Sequence, residues 1–339
     1  MNVDKLSIVL TVAVAALFAA VPAKAQTAER TMRLSAAVAQ DHPFAAGVSA
    51  LTACAAEKSG GKMKIQSFWN AALGSDMQAV QLVRGGSLDM VVASTSPLAS
   101  LVPAMGVFDL PFLFENEKEA DRILDGAVGQ QLSEKLQGVG LVNLAYWENG
   151  FRNLTNSRRP IQKWEDLGGT KIRVMQNPVF MDTFSTLGAN AVPMAFSELF
   201  TALETRAVDG QENPYANIET GKFYEAQKYL SVTNHAYTPA VILYSKKIWD
   251  GLSSAERDVL QSCAAVARTE ERRVNREQSE KSLARLKDLG MQVNELSAEE
   301  RKRMLQKVAP VYEKHAATIG ADTMTLLQSE LGQLRKANP

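Results

Sequence analysis

The sequence has few residues of the types that bind metals or carry out thiol chemistry. It contains three histidines and two cysteines in 339 residues, with no Cys-x-x-Cys pair. A structural zinc site needs about four such ligands at close spacing, so the sequence predicts no metal site. It also lacks the Gly-x-Ser-x-Gly, His-Glu-x-x-His, P-loop and Gly-x-Gly-x-x-Gly motifs of common catalytic and nucleotide-binding sites. We therefore predict neither a cofactor nor an enzymatic activity.

Neither sign of charge is in excess, because 37 Lys and Arg residues balance 37 Asp and Glu residues. Surfaces that bind nucleic acid or anionic membranes carry a basic surplus. Neither is therefore expected as a partner.

Long apolar runs are also scarce, and the one present, Leu6–Ala20, lies near the N-terminus. Lys5 precedes it, and Ala23-Lys24-Ala25 follows it as a small-x-small cleavage site. We expect residues 1–25 to be a signal peptide that is cleaved after Ala25, which predicts a periplasmic protein. The alternative is an uncleaved anchor, but the run is short for a membrane span. Residues 26–339 suffice for two domains or one large one.

The two cysteines, Cys54 and Cys263, lie far apart in the sequence. Each falls within a helical apolar pattern, which favours two buried thiols. A disulfide is the alternative, because an exported protein can form one.

The stretch Phe196–Pro214 carries the most informative pattern. Leu199, Leu203 and Ala207 recur at four-residue spacing, which predicts a helix with one apolar face, and Ser197 is a candidate N-cap. Gly210 can take a positive φ and end this segment, and Pro214 keeps Asn213 extended. Taken alone, the pattern fits a helix followed by a polar turn that presents Asn213.

The same stretch resembles the signature of the substrate-binding proteins of tripartite ATP-independent periplasmic (TRAP) transporters, PMxFSELYxALQTGxVDGQENP. Residues 193–214 read PMAFSELFTALETRAVDGQENP, with Arg206 in place of the usual Gly. Further similarity covers Leu73–Asp76, Phe108–Phe112 and Leu167–Val174, so the resemblance extends over nearly the whole mature chain.

The fold class predicted is α/β. Residues 31–93 alternate strand and helix patterns in the order β-α-β-α-β, which indicates a parallel sheet with crossover helices. Glu148–Arg152 is interpreted as a turn after a strand. A charged helical segment spans about residues 254–289, and in the TRAP family such a helix lies across both domains.

The resemblance therefore implies a two-domain, type II-like periplasmic binding protein fold. One domain would comprise residues 26–149 and about 239–270. The other would comprise residues 150–238 and about 271–339.

Three residues form the predicted ligand clamp. A guanidinium presents a rigid fork that binds a carboxylate through two parallel hydrogen bonds. Taken alone, each arginine fits a surface or internal ion-pair role better than a ligand-binding one. The resemblance implies that Arg173 holds the ligand carboxylate, while Arg152 and Asn213 add hydrogen bonds to the same end. We see no acidic cluster opposite these arginines in the motif.

Other positions are implied to set selectivity. The resemblance places five further residues near the ligand: Ala37, Asp76, Ser94, Thr95 and Phe196. Sialate-binding relatives carry Asn at the position of Ala37 and Glu at that of Ser94, so sialic acid is not expected. Four more candidates could equally be core residues: Trp69, Trp147, His235 and Tyr237.

The resemblance implies a monomeric periplasmic binding protein that closes over a small carboxylate and delivers it to membrane permease subunits. A C4-dicarboxylate, a keto or hydroxy acid, and a sugar acid all remain open as ligands. Two alternatives are a ligand-binding subunit of a periplasmic sensory system and a periplasmic organic-acid lyase.

Overall fold

The computed structural model describes residues 27–337, so the predicted signal peptide and its cleavage site lie outside the described residues. The first elements are β1 (Arg30–Ala36), α1 (Phe44–Lys58), β2 (Met63–Phe68), α2 (Asp76–Gly85) and β3 (Met90–Ser94). Strand β1 pairs in parallel with β2 on one side and with β3 on the other. The predicted β-α-β-α-β unit with a parallel sheet is therefore present.

The remaining strands are β4 (Leu141–Asn156), β5 (Lys171–Val174), β6 (Asn190–Pro193), β7 (Gly210–Asn213), β8 (Tyr229–Ser245) and β9 (Gln292–Glu295). The remaining helices are α3 (Glu117–Asp125), α4 (Ala127–Gln137), α5 (Pro178–Thr186), α6 (Phe196–Glu204), α7 (Tyr215–Thr220), α8 (Lys246–Trp249), α9 (Ser254–Asp288), α10 (Ala298–Ile319) and α11 (Ala321–Ala337). The described strands form one mixed sheet in the order β2-β1-β3-β8-β4-β7-β5-β6, with β9 beside β8. We call the part built on β2, β1 and β3 the first lobe, and the part built on β7, β5 and β6 the second lobe.

Two long antiparallel strands, β4 and β8, join the lobes. The turn expected at Glu148–Arg152 is wrong, because these residues continue β4 and pair with β8. The register shifts between Glu148 and Gly150, and Gly150 has φ +114°. Such an irregularity bends a strand without reversing it, because the partner strand still supplies hydrogen bonds on either side. The polar residues and the glycine of Glu148–Arg152 therefore lie where β4 passes from one lobe to the other.

The hydrophobic core differs on the two faces of the sheet. On one face a single cluster runs through both lobes, from Leu88 and Phe108 to Ile172 and Phe184. On the other face each lobe has its own cluster. A continuous core on one side and a division on the other leave room for a cleft on the divided side.

The long helix α9 lies on the divided face and spans both lobes, as predicted. It begins at a capping box, in which Ser253 and Glu256 each bond the other's backbone N–H. It packs against α1 in the first lobe, β4 at the crossing and α7 in the second lobe. Its buried Leu260 belongs to the first-lobe cluster and its buried Leu286 to the second.

Cys54 and Cys263 form a disulfide between α1 and α9, so the favoured prediction of two buried thiols is wrong. The two Cα atoms are 5.5 Å apart, within the usual range for a disulfide. Each helix taken alone shows where its apolar face is, but not that the two faces meet. The bond ties the first part of α9 to the first lobe.

Among residues 27–337, no helix combines the length and the apolar character needed to span a bilayer.

Candidate functional site

A cleft lies where the two lobes face each other, at the carboxyl ends of the parallel strands. This is the edge at which α/β sheets usually bind ligands. About 570 Å³ of space, part of it open to solvent, lies between its walls. The structure brings six of the predicted site residues to this cleft: Ala37, Asp76, Ser94, Arg173, Phe196 and Asn213.

Arg173 forms the basic part of the cleft wall. It lies on β5, between β6 and β7, and is 1% exposed. Its Nε and Nη2 donate to the carbonyl oxygen of Met194 at 3.0 and 2.7 Å. Its buried Nη1 has no hydrogen-bond partner, and in the part of the chain that the structure describes Arg173 makes no ion pair. Burial lowers the pKa of Arg173 to about 10. It remains a cation at neutral pH, stabilised by the charges of Glu212 and Asp76 although no described carboxylate is within ion-pair distance.

Arg152 is placed differently from the prediction. It is fully buried on β4 and does not line the cleft. Its Nε donates to Glu212 Oε2 at 2.5 Å, and its Nη2 to Glu212 Oε1 at 3.0 Å and to Asn213 Oδ1 at 3.0 Å. The expectation that the motif holds no acidic partner is wrong, because Glu212 of the motif neutralises Arg152.

His235 also contacts the carboxylate of Glu212. His235 Nε2 lies 3.1 Å from Glu212 Oε2, and His235 Nδ1 lies 2.8 Å from Thr233 Oγ1. Burial would raise the pKa of the Glu212 carboxyl, but Arg152 and His235 bring it below its usual value. His235 thus supports the buried ion pair and does not reach the cleft.

The other candidates outside the cleft also have structural contacts. Thr95 is buried and donates through both Oγ1 and backbone N to the carbonyl of Pro239. Tyr237 donates to Glu148 Oε2 at 3.2 Å. Trp147 packs in the first-lobe core, and Trp69 donates to Ser67 Oγ at 3.1 Å.

The motif segment reaches the cleft as helix, loop and strand. Helix α6 starts at Phe196 after an N-cap at Ala195, so Ser197 is not the cap. Residues 210–213 form β7 where a turn was expected, and Gly210 does not have a positive φ. A Cβ on Gly210 would lie 2.3 Å from the backbone oxygen of Thr155, so close strand packing explains the glycine. The left-handed position is Arg206, at φ +58°.

Asn213, the last residue of β7, connects the cleft to the buried ion pair of Arg152 and Glu212. Its Oδ1 accepts from Arg152, and its Nδ2 donates to Gln211 Oε1 at 2.5 Å. Its side-chain orientation is therefore set by Arg152.

The opposite wall carries the acidic group of the cleft. Asp76 is the first residue of α2, whose N-cap Ser75 donates its backbone N–H to Gln78 Oε1. Burial raises the pKa of Asp76 to about 6, against the opposing effects of a hydrogen bond from the Ser94 backbone and of Arg173. Among the described residues that line the cleft, Asp76 and Arg173 are the ionisable ones.

Sequence reasoning missed two asparagines in the cleft wall. Asn149 donates through Nδ2 to Ser94 Oγ at 2.9 Å, while its buried Oδ1 has no partner. The Oδ1 of Asn217, on α7, lies 3.2 Å from the Nε2 of His42. This contact joins the two lobes, because His42 precedes α1 in the first lobe. Asn149 lies inside the segment interpreted as a turn, where its polar neighbours gave no reason to single it out.

His42 is a neutral donor in this contact. Its Nδ1 accepts the backbone N–H of Phe44 at 3.2 Å, which leaves the proton on Nε2 for Asn217. Burial lowers the pKa of His42 to about 4. The bridge across the cleft therefore forms without a charge at neutral pH.

The geometry of this chain matches solved binding proteins. The sugar acid binding protein DctPAm from Advenella mimigardefordensis, solved in complex with galactonate, is 48% identical with a TM-score of 0.89, over 91% of this chain and 99% of that one. A TRAP periplasmic solute binding protein from Polaromonas sp. JS666, bound to D-erythronate, is 38% identical with a TM-score of 0.85, over 88% and 98%. These matches confirm the predicted α/β, two-domain binding-protein fold.

Sequence comparison agrees. The 2,3-diketo-L-gulonate-binding periplasmic protein YiaO of Escherichia coli K12 is 40% identical over 237 residues, 70% of this chain and 72% of YiaO. The model of bacterial extracellular solute-binding protein family 7, DctP, matches residues 34–318. Proteins of this kind are binding components of transporters, which sets the lyase alternative aside. The chain belongs to the DctP family of periplasmic solute-binding proteins, which serve TRAP transporters.

Proposed function

We propose that this protein captures a small organic acid by its carboxylate group, which binds Arg173. The observation that carries this proposal is that Arg173 lines the cleft with an unpartnered Nη1 and makes no ion pair among the described residues, while Met194 holds the rest of its guanidinium. A buried cation is costly unless it is paired, and a ligand carboxylate would supply the missing charge and acceptor. Because Arg173 lies on a strand that is paired on both sides and its guanidinium is held by Met194, its side chain is already oriented before the ligand arrives.

Asn213 and Arg152 support this carboxylate in different ways. Asn213 lines the cleft, so it is proposed to contact the ligand directly. Arg152 is proposed to act mainly by holding Asn213, since it bonds Asn213 Oδ1 and is neutralised by Glu212. Ala37, Ser94 and Phe196 would then shape the remaining wall.

The lobes are proposed to close over the ligand. Gly150 pairs with Thr238 at the irregular crossing of β4 and β8, which supports the predicted boundaries after residues 149 and 238. One domain is then residues 26–149 with about 239–270, and the other is 150–238 with about 271–339. The contact between His42 and Asn217 would be made on closure and broken on opening, while α9 bends.

In the cell, the proposed partners are the integral-membrane subunits of a TRAP permease, and the protein is proposed to act as a monomer. The family is periplasmic, and cleavage of a signal peptide after Ala25 is the proposed route of export.

A thermal-shift screen of organic acids, amines and neutral sugars tests the ligand class. A ligand at 100 times its Kd should add about 2.7 kcal/mol of stability. Sugar acids should be screened first, because the relatives solved with galactonate and D-erythronate bind acids of this type. Stabilisation by amines or neutral sugars alone would overturn the proposal. Small-angle scattering should in addition show a smaller radius of gyration with ligand, and an unchanged profile at saturation would contradict closure.

A further inference from the structure

The wall opposite Arg173 is unusual in presenting hydrogen-bond acceptors and no second cation. Asp76 is a carboxylate, and Asn149 is 3% exposed with its Oδ1 buried and unpaired. Arg173 is the one cation among the described residues that line the cleft. A ligand with an anion at one end and hydrogen-bond donors at the other fits this arrangement.

We propose that the cleft selects acids with one carboxylate and a chain of hydroxyl groups, and that Asn149 and Asp76 recognise these hydroxyls and reject a second carboxylate. This inference rests on the proposed function, since it takes Arg173 as the carboxylate site. It adds two residues with roles in selectivity, and it narrows the ligand from any small organic acid to a polyhydroxy monocarboxylate.

The orientation of Asn149 supports this assignment. Its Nδ2 donates to Ser94 Oγ, so Oδ1 is the atom left over. A ligand hydroxyl can donate to that oxygen, whereas an ionised carboxylate has no proton to give. With the amide reversed, the leftover group would instead be a donor, which a second carboxylate would accept. A dicarboxylate therefore discriminates between these two arrangements.

Asp76 gives an independent reason to expect the same selectivity. Its pKa of about 6 leaves it mostly ionised at neutral pH, so it accepts hydrogen bonds from hydroxyls and repels an anion. Between closely spaced carboxylates this repulsion is strengthened when closure removes water. The same group would favour a hydroxyl through a charge-assisted hydrogen bond.

Titration calorimetry at pH 7.5 with three four-carbon acids tests the proposal. D-Erythronate has one carboxylate and three hydroxyls, succinate has two carboxylates, and butyrate has one carboxylate and no hydroxyl. A six-carbon series of galactonate, adipate and hexanoate covers a larger ligand. We expect the hydroxylated acid in at least one series to bind tenfold or more tightly than both of its partners. Equal or tighter binding of the dicarboxylate in both series would overturn the proposal.

Single substitutions then test which residues cause this selectivity. Asn149→Ala should weaken binding of the hydroxylated acid by about 5- to 100-fold, the range expected when a buried polar partner is lost, and leave the unhydroxylated acid unchanged. Asn143→Ala is the matched control, because Asn143 is also on β4 with an unpaired Oδ1 but lies outside the cleft. Equal losses for both acids, or the same loss in the control, would contradict a role of Asn149 in recognition.

Asp76→Asn keeps the test decisive if Asn149→Ala fails to fold. It removes the negative charge and should improve dicarboxylate binding at least tenfold relative to the hydroxylated acid. An unchanged ratio would overturn the role of Asp76. If the parent protein binds none of these acids but binds amines or neutral sugars, the proposed function itself fails, which differs from a protein that binds acids without this selectivity.

Discussion

Two arginines, Arg152 on β4 and Arg173 on β5, are equally buried but differ in what surrounds them. Arg152 is 0% exposed and has a carboxylate partner, Glu212, in the protein itself. Arg173 is 1% exposed and has a backbone carbonyl but no carboxylate. The difference favours a structural role for Arg152 and supports the ligand-binding role that is proposed for Arg173.

This comparison shows why burial alone does not identify a binding residue. Both side chains have an Nη1 without a hydrogen-bond partner, so an unpaired donor is also insufficient. What distinguishes Arg173 is the combination of a charge without a direct ion-pair partner among the described residues and a position in the cleft wall. A buried charge that is left unpaired is costly, so its persistence is best explained by what it binds.

The largest expected effect is the loss of ligand affinity in Arg173→Ala. The variant would leave the ligand carboxylate without a counter-charge in a closed cleft, which costs roughly 3–5 kcal/mol by analogy with broken buried pairs. That corresponds to about a thousandfold weaker binding. Titration calorimetry with the best ligand from the screen measures it.

Arg173→Lys sharpens the same test, because it keeps the charge and loses the fork. It should still weaken binding substantially, since a lysine cannot make two parallel hydrogen bonds to one carboxylate. Parent-like affinity in this variant would show that the carboxylate is held elsewhere. Thermal unfolding of each ligand-free variant confirms that it is folded.

Arg152→Ala should mainly lower the stability of the protein, whereas Arg173→Ala should mainly weaken ligand binding. It leaves Glu212 buried beside His235 alone, and breaking a buried pair in this way costs roughly 3–5 kcal/mol. Urea denaturation of the ligand-free protein should show this loss in the free energy of unfolding. Its effect on affinity should be smaller than that of Arg173→Ala, because Arg152 acts through Asn213.

A double variant, Arg152→Met with Glu212→Gln, provides the control for this pair. Removing both charges together should recover part of the stability, because no unpaired buried ion remains. If Arg152→Ala is as stable as the parent and loses a thousandfold in affinity, the two arginines have been assigned the wrong way round.

The sequence predicted the placement of Arg173 in the cleft but not the buried ion pair of Arg152, for a physical reason. The environment of Arg173 is set largely by its own strand, where Ile172 and Val174 point into the core and Arg173 points away. The partner of Arg152 is 60 positions away, and the contact depends on the pairing of β4 with β7. No local pattern contains that pairing.

Other differences between the prediction and the structure also arise from contacts between residues that are distant in the sequence. The ends of α9 were predicted accurately, but the disulfide that joins it to α1 depends on how the faces of the two helices meet. Residues 148–152 carry a glycine and polar side chains typical of a turn, yet pairing with β8 keeps them in a strand. Long-range pairing overrides local propensity at such places.

A smaller expected effect concerns pH. Asp76 and Glu212, the carboxylates near the two arginines, should change the stability of the protein in opposite directions as the pH rises. The pKa of Asp76 is raised to about 6, so the folded protein binds its proton more tightly than the unfolded chain does. Its contribution to stability should therefore fall as pH rises from about 4 to 6. The pKa of Glu212 is lowered, so its contribution is present above its usual pKa and is lost as pH falls through the folded value.

Unfolding of the parent and of Asp76→Asn between pH 4.5 and 7.5 measures this difference. The stability of the parent relative to Asp76→Asn should decline with rising pH by on the order of 1 kcal/mol and level off above pH 7. A difference that rises with pH would show that Arg173 already pairs with Asp76, which would remove the contrast between the two arginines.

The smallest expected effect concerns a third arginine, Arg206, which is exposed where the other two are buried. It has φ +58°, a left-handed conformation that costs a non-glycine residue roughly 1–2 kcal/mol. Arg206→Gly relieves this strain but adds flexibility to the unfolded chain, which offsets about 0.5–1 kcal/mol. We expect a net gain of about 0.5–1 kcal/mol in the free energy of unfolding and no change in affinity. Glu204→Gly, at the last residue of α6, is the matched control and should lose about 0.5 kcal/mol. If both glycines destabilise alike in urea denaturation, Arg206 carries no strain, and the glycine usual at this position in the signature needs another explanation.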